Sequence, residues 1–271
     1  MISVYYDQHI HSSYSEDSEE DLENYFIKAS ERGAKYVVTC EHFDYLTIVT
    51  GATWQADFDD LIKKQEVLKE KYPDITPLLG IEVGYKLSAI NAINDILSKY
   101  PFDIVQFSIH DNDLIDYYFK PAFSSDLKGK ITGYFTHIIE GLNRFDNFDV
   151  FSHLGFGFKT IKMIDNTEEI KNYEPFVKEI MSLVIKKNKA FELNTKVIET
   201  IYSIDHDYHH LEYILDLYKN LGGVKLTLSS DAHRMDRYMS SFDIIIPIIK
   251  KHGFNELSYF IKRKEYKYEL D

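Results

Sequence analysis

The stretch PLLGIEVG, residues 77–84, reads as a buried β-strand that carries one carboxylate, Glu82, inside an otherwise apolar run. It is followed over 88–99 by a segment of helical periodicity, and this strand-then-helix alternation extends in both directions along the chain. Strand-like runs fall at 3–10, 36–41, 77–84, 103–109, 149–153, 190–194 and 225–230, with amphipathic segments near 18–32, 57–71, 88–99, 132–146, 168–188, 207–221 and 241–252. Ser18 with Asp21 marks a helix start, and Gly33 and Gly222 stand where helices should stop. Seven βα units imply a parallel sheet, either open or closed into a barrel. Only 12 glycines occur, and none forms the G-x-G-x-x-G or P-loop signature of nucleotide-binding open sheets. The expected fold class is therefore α/β, as a TIM-barrel-like closed sheet. No low-complexity linker or proline-rich hinge divides residues 1–271, so one domain is expected.

The bulk properties narrow the function. A 44% hydrophobic, 15% aromatic chain of 271 residues has ample material for a core, although its 21 tyrosines have no evident role in the sequence alone. Cys40 is the single cysteine, so no intramolecular disulfide forms; with no secretory pattern at the start, a cytoplasmic location is expected. The longest apolar runs, such as FDIIIPII at 242–249, fall short of the roughly 18 residues of a membrane span. Lysine and arginine total 31 against 44 acids, a net charge of −13, with only the tail KRKEYKYELD locally basic. That balance disfavours extended nucleic-acid binding. It leaves room for an anionic small molecule if divalent cations sit at the site, because those ions become the dominant local charge.

In a parallel βα barrel, reactive residues collect where strands end. His9 and His11 close the first strand in YYDQHIHSSYSEDSEED, two positions apart and hence on one face. His42 closes the second in TCEHFD, Glu82 lies in the third, His110 closes the fourth in FSIHDND and His153 the fifth in DVFSHLG. Asn194 ends the sixth in AFELNT, and Asp231 and His233 follow the seventh in LTLSSDAHR. Six of the 11 histidines thus sit at strand ends. Glu82 is costly to bury as a charge unless paired or bound to a cation, and neighbouring strands offer no obvious lysine or arginine. Imidazole and carboxylate without thiolate suit Zn, Mn or Fe in a catalytic site. With Asp17 from the first loop the set numbers nine, more than one tetrahedral ion needs and enough for two or three ions sharing a bridging carboxylate. Such a centre is most useful to phosphate ester hydrolysis.

The ordered series DQHIHSSYSEDS, TCEHFD, GIEVGY, FSIHDND, FSHLG, ELNT and SSDAHR resembles the PHP superfamily, named for polymerase and histidinol phosphatase. The resemblance implies a distorted (β/α)7 barrel and a centre of two or three divalent ions, Zn, Mn or Fe. It carries the metal role to His9, His11, Asp17, His42, Glu82, His110, His153, Asp231 and His233, with Glu82 bridging, and a catalytic role to Asp17, His42, Glu82, Asp231 and His233 among them. Length, the HSSYSEDSEEDLENYF opening and EHFDY are most similar to the monofunctional histidinol-phosphate phosphatases. That implies hydrolysis of L-histidinol phosphate to L-histidinol and phosphate, in histidine biosynthesis, by a metal-bound hydroxide. The alternatives are a phosphoesterase for nucleotides or another phosphomonoester, and a non-catalytic polymerase-associated module. Where such relatives place basic residues for the phosphate, this chain has Lys159 in GFGFKT and Lys196 in ELNTK; Arg234 is a third candidate. Trp54 stands in the loop after the second strand, where it could cover the substrate's imidazole. His206 and His210, at i, i+4 spacing in DHDYHH, read as the polar face of a helix, and Cys40 as a buried strand residue.

Overall fold

Strands β1 (Tyr36–Asp44), β3 (Thr76–Gly84), β4 (Ile104–Ser108), β5 (Val150–Phe151), β6 (Ala190–Asn194) and β7 (Leu226–Ser229) pair in parallel in that order, and β2 (Trp54–Gln55) adds antiparallel to β1. These come from a computed structural model that describes residues 6–118, 126–165, 167–202 and 207–270. What closes the sheet is the amino-terminal segment. Ile10 bridges in parallel to Thr39 of β1 on one side and to Ala232, just beyond β7, on the other. The Cys40 N–H donates to the Ile10 carbonyl and the His11 N–H to the Ala232 carbonyl, each at 2.8 Å. The expected strand over 3–10 is therefore present as a barrel stave, although it makes single bridges and not a regular ladder, and residues 3–5 lie outside the described residues. The result is a distorted seven-stave α/β barrel.

Helices α1 (Leu22–Arg32), α2 (Phe58–Lys71), α3 (Ile90–Lys99), α4 (Leu127–Arg144), α5 (Phe156–Ile164), α6 (Glu174–Lys186), the short α7 (Thr195–Val197, running on as a π-turn over Ile198–Tyr202), α8 (His209–Asn220) and α9 (Phe242–Lys251) accompany the strands. Local chemistry sets their ends. Asp21, not Ser18, caps α1 by accepting from the Glu23 N–H, and Gly33 stops it at φ 70°, a left-handed conformation that costs glycine little.

Along each strand alternate residues take opposite faces. Leu79, Ile81 and Val83 of β3 join Val37 and Phe43 of β1 and Val105 and Phe107 of β4 in the main core beneath the helices. Val38, Cys40, Leu78, Ile104, Val150 and Ala190 form a second, smaller apolar cluster, the floor of the barrel interior. Phe260 of the carboxy-terminal hairpin, β8 (Glu256–Ile261) and β9 (Lys264–Glu269), plugs that floor from below. Part of the tyrosine excess is used here: the Tyr6 ring packs edge-on against Tyr36 at 5.1 Å and Tyr268 at 5.0 Å, and tilted against Tyr259 at 5.0 Å, where the hairpin meets the barrel. Above the apolar floor the inward face turns polar, and register carries it upward. Cys40 pairs with Gly80, then His42 with Glu82, then Glu82 with Gln106. The residues with chemistry are therefore raised to one rim. No helix among the described residues is long and apolar enough to cross a membrane.

Candidate metal centre

Glu82 stands at the middle of that rim, 1% exposed, and its two oxygens face two different groups of imidazoles. Oε2 lies 3.3 Å from His9 Nε2, 3.5 Å from His11 Nε2 and 3.2 Å from His42 Nδ1. Oε1 lies 3.2 Å from His110 Nε2 and 2.5 Å from His153 Nε2. Asp231 Oδ1 adds a second carboxylate, 3.4 Å from His11 Nε2 and 3.5 Å from His233 Nδ1. Asp17 reaches in from the first loop, with Oδ2 2.9 Å from His233 Nε2 and Oδ1 3.5 Å from His42 Nε2. All nine residues named as ligands from the sequence thus converge. His153 and Asp231 adopt left-handed backbone, φ 22° and 50°, a strain that concentrates where side chains must be re-aimed toward a site.

The donor set fits divalent cations. Among the described residues three clusters offer atoms close enough to share an ion: His11, His42 and His233; His9, His11 and Asp231; His42, Glu82 and His110. His9 Nε2 and His11 Nε2 face each other at 3.0 Å, an arrangement that needs a proton or a cation between two lone pairs. Both ring nitrogens of His42 and the Nδ1 of His153 are buried without a hydrogen bond among the described residues. The field is set to hold positive charge. Burial alone would raise the Glu82 carboxyl, but His110, His9, His153 and His42 outweigh it and hold the group well below the usual carboxylate range. Burial likewise pulls His9 down, and Glu82 and Glu192 overcome it to hold the ring well above its ordinary value. His11, buried and beside His42 and His233, is pushed well below the ordinary value and so offers a neutral, ligating imidazole.

Two carboxylates that sequence reading passed over orient this set from behind. Asp44 Oδ1 sits 2.7 Å from His110 Nδ1, and Glu192 Oε1 sits 2.8 Å from His9 Nδ1. Both had a signal. Asp44 lies two residues after His42 on the same face of β1, and Glu192 is a buried acid in an apolar strand, the feature that singled out Glu82. Ser15 completes the pattern: its hydroxyl lies 3.2 Å from His11 Nδ1 and donates to Glu41. Gly84 makes room for Asp44, since a Cβ there would stand 1.8 Å from Asp44 Oδ1 and 3.2 Å from His110 Nδ1. Gly84→Ala should therefore turn Asp44 away from His110 and weaken zinc binding by about tenfold in a chelator competition. Unchanged affinity would show that Asp44 does not orient His110.

The centre forms the floor of a cavity of about 820 Å³ whose walls include Trp54, Tyr118, Phe156, Lys159 and Lys196. Lys159, on the first turns of α5, is buried, with Nζ 5.1 Å from the ring centroids of both Tyr118 and Phe156. Burial, reinforced by Lys196, lowers its ammonium to about 8. Lys196 Nζ lies 3.5 Å from Asp231 Oδ1 and 3.3 Å from His233 Nδ1. The ring of Trp54 approaches that of His42 edge-on, 6.1 Å between centroids. Arg234 departs from expectation: its guanidinium turns outward, 76% exposed, to pair with Asp236, and it does not line the cavity. Backbone at Arg234 is extended, φ −151° and ψ 143°, so it points away from the side that His233 takes. His210 is buried and not on a polar face, while His206 lies outside the described residues. Cys40 is a buried strand residue as expected, its thiol 3.3 Å from the Gln8 carbonyl and pushed by burial to about 12.

A parallel βα barrel with imidazoles and carboxylates gathered at the carboxyl ends of its strands defines a class of metal-binding barrels. Within that class the chain belongs to the PHP domain family, whose profile matches residues 7–196. It is 27% identical over 260 residues to the histidinol-phosphatase of Lactococcus lactis subsp. lactis IL1403, covering 94% of this chain and 93% of that one. It is 26% identical over 232 residues to a Clostridium acetobutylicum protein named "Probable histidinol-phosphatase", covering 85% and 87%. Its fold matches the crystal structure of the Lactococcus lactis histidinol phosphate phosphatase complexed with zinc, L-histidinol and phosphate, at a TM-score of 0.84, 24% identity and coverage of 96% of this chain and 98% of that one.

Proposed function

We propose that the chain, with residues 1–271 acting as one unit, is a histidinol-phosphate phosphatase that hydrolyses L-histidinol phosphate to L-histidinol and inorganic phosphate. The observation that carries this reading is the two-sided Glu82 carboxylate lying in one cavity with Lys159 and Lys196, which is a centre for cations beside a seat for an anion. Family membership and the names of the full-length relatives support it. His9, His11, Asp17, His42, Glu82, His110, His153, Asp231 and His233 would hold two or three divalent ions, of Zn, Mn or Fe. When bound, such ions supply Lewis-acid charge to phosphoryl oxygens and make water more acidic. The chain's own contribution is positional. Asp17 ties the first loop to His233 and His42, so the reacting group meets a fixed array. Lys159 and Lys196 would neutralise phosphate oxygens beside the centre, and Trp54, Tyr118 and Phe156 would give flat surfaces to the imidazole end of the substrate. The single cysteine, buried in β1, is in keeping with a cytoplasmic enzyme.

A cavity of about 820 Å³ is the observation behind a second reading, in which the substrate is a larger phosphate ester. Phosphate release should be measured on metal-reconstituted protein with histidinol phosphate, mononucleotides and phosphotyrosine. The expected result is a kcat/KM for histidinol phosphate at least about a hundredfold above the others, abolished by a chelator and restored by Zn or Mn. Preference for a nucleotide would reassign the substrate, and metal-independent turnover would overturn the centre's role.

A further inference from the structure

We propose that Glu192 is a positioning residue for the centre, fixing the ring of His9 with its Nδ1 proton turned away from the ions and its Nε2 turned toward them. This rests on the metal reading above. Glu192 lies on the inward face of β6, fully buried beneath the rim, and four donors from three barrel staves and the β5 loop converge on its carboxylate. Oε1 takes His9 Nδ1 at 2.8 Å and the Ser229 hydroxyl at 2.5 Å. Oε2 takes the His153 backbone N–H at 2.6 Å and the Asn194 amide at 3.3 Å.

This environment decides two things. An ionised carboxylate is acceptor-only, so the His9 nitrogen that faces it must be the one carrying the proton. The other nitrogen, Nε2, points at Glu82 Oε2 and His11 Nε2, and there a bound cation would take the place of the second proton that Glu82 otherwise favours on the ring. The second consequence concerns His153. Its N–H is held by the same carboxylate at a residue whose φ of 22° is otherwise unfavourable, and the ring so placed reaches Glu82 Oε1. One buried acid therefore sets a ligand on each side of Glu82, since His9 faces Oε2 and His153 faces Oε1. Glu192 does not itself offer an oxygen to the ions, because both are occupied by donors and the His9 ring stands between.

Glutamine is the discriminating substitution. It has the same shape, but whichever way its amide is placed, an NH₂ group meets two donors in a site closed to water. The test uses the full-length protein and zinc alone. Glu192→Gln should remain folded, as judged by a thermal melt of the zinc-free form, and should bind zinc about 10- to 100-fold more weakly in a chelator competition. In the zinc-loaded wild type, ¹⁵N ring shifts of His9 should show a protonated Nδ1 and a coordinated Nε2; in Glu192→Gln that signature should be lost or averaged. The wild-type spectrum is informative even if the variant fails to fold, because coordination of His9 through Nδ1 would overturn the proposal. So would a folded Glu192→Gln protein with wild-type affinity and tautomer, while leaving the metal reading intact. A wild-type protein that binds no zinc would overturn both.

Discussion

Glu82→Ala is expected to lose both activity and bound metal, with kcat/KM down by roughly a thousandfold or more, about 4 kcal/mol of transition-state stabilisation. The size follows from geometry. A terminal ligand such as His110 joins one cluster, whereas Glu82 presents Oε2 to His9, His11 and His42 and Oε1 to His110 and His153. Removing it leaves five imidazoles around a buried space with no central negative charge, so cations on both sides lose their shared counter-ion. Glu82→Gln should fall nearly as far, because it restores shape without charge. Elemental analysis of the reconstituted proteins is the check beside the assay, and more than one equivalent of metal should be lost. Full activity with unchanged metal content would make Glu82 a structural acid. The barrel should survive the change, because its walls are packed by Ile81, Val83 and their neighbours on the opposite face of β3.

How far the sequence could be read depended on whether each feature had a local signature. Apolar runs between helical stretches located β1 and β3 to β7 within a few residues, and the strand-end histidines followed from period-two alternation and barrel geometry. The hairpin β8–β9 was not foreseen, because its turn lacks the usual glycine or asparagine. Lys262 and Arg263 both adopt left-handed φ, 52° and 62°, and are held there by Asp103, which accepts from both of their backbone N–H groups. Helix α5 was missed for a related reason. Gly155 and Gly157 interrupt any helical signal there, yet Gly157 lies inside the helix, and it is glycine because a Cβ would stand 2.8 Å from the Tyr134 ring. Asp44 and Glu192 act through imidazoles that are distant in sequence or on another stave, so only the closed barrel reveals whom they serve. Arg234 shows the converse error: adjacency to His233 in the chain put it on the opposite side in space.

Lys159→Met and Lys196→Met should each lower kcat/KM for histidinol phosphate by about 10- to 1000-fold, the loss of about 1.5 to 4 kcal/mol, while leaving metal content near wild type. Both line the cavity beside the centre, and each would give a charge-assisted contact to a phosphoryl oxygen whose charge is redistributed as the group transfers. Arg234→Ala, outside the cavity, should stay within about twofold of wild type. Lys159 adds a pH signature. Burial, with Lys196 next, lowers its ammonium to about 8, so the cation needed for phosphate is present below that value and lost above it. The profile of kcat/KM should accordingly fall on the alkaline side with an apparent pKa near or below 8, since bound divalent ions would press the ammonium further down. Arginine does not titrate in this range, and Lys159→Arg should flatten that limb beyond pH 9 while retaining turnover. An unmoved alkaline limb in Lys159→Arg would assign the titration to another group. A Lys159→Met protein with wild-type kcat/KM would leave Lys196, 3.5 Å from Asp231, as the cation that seats the phosphate.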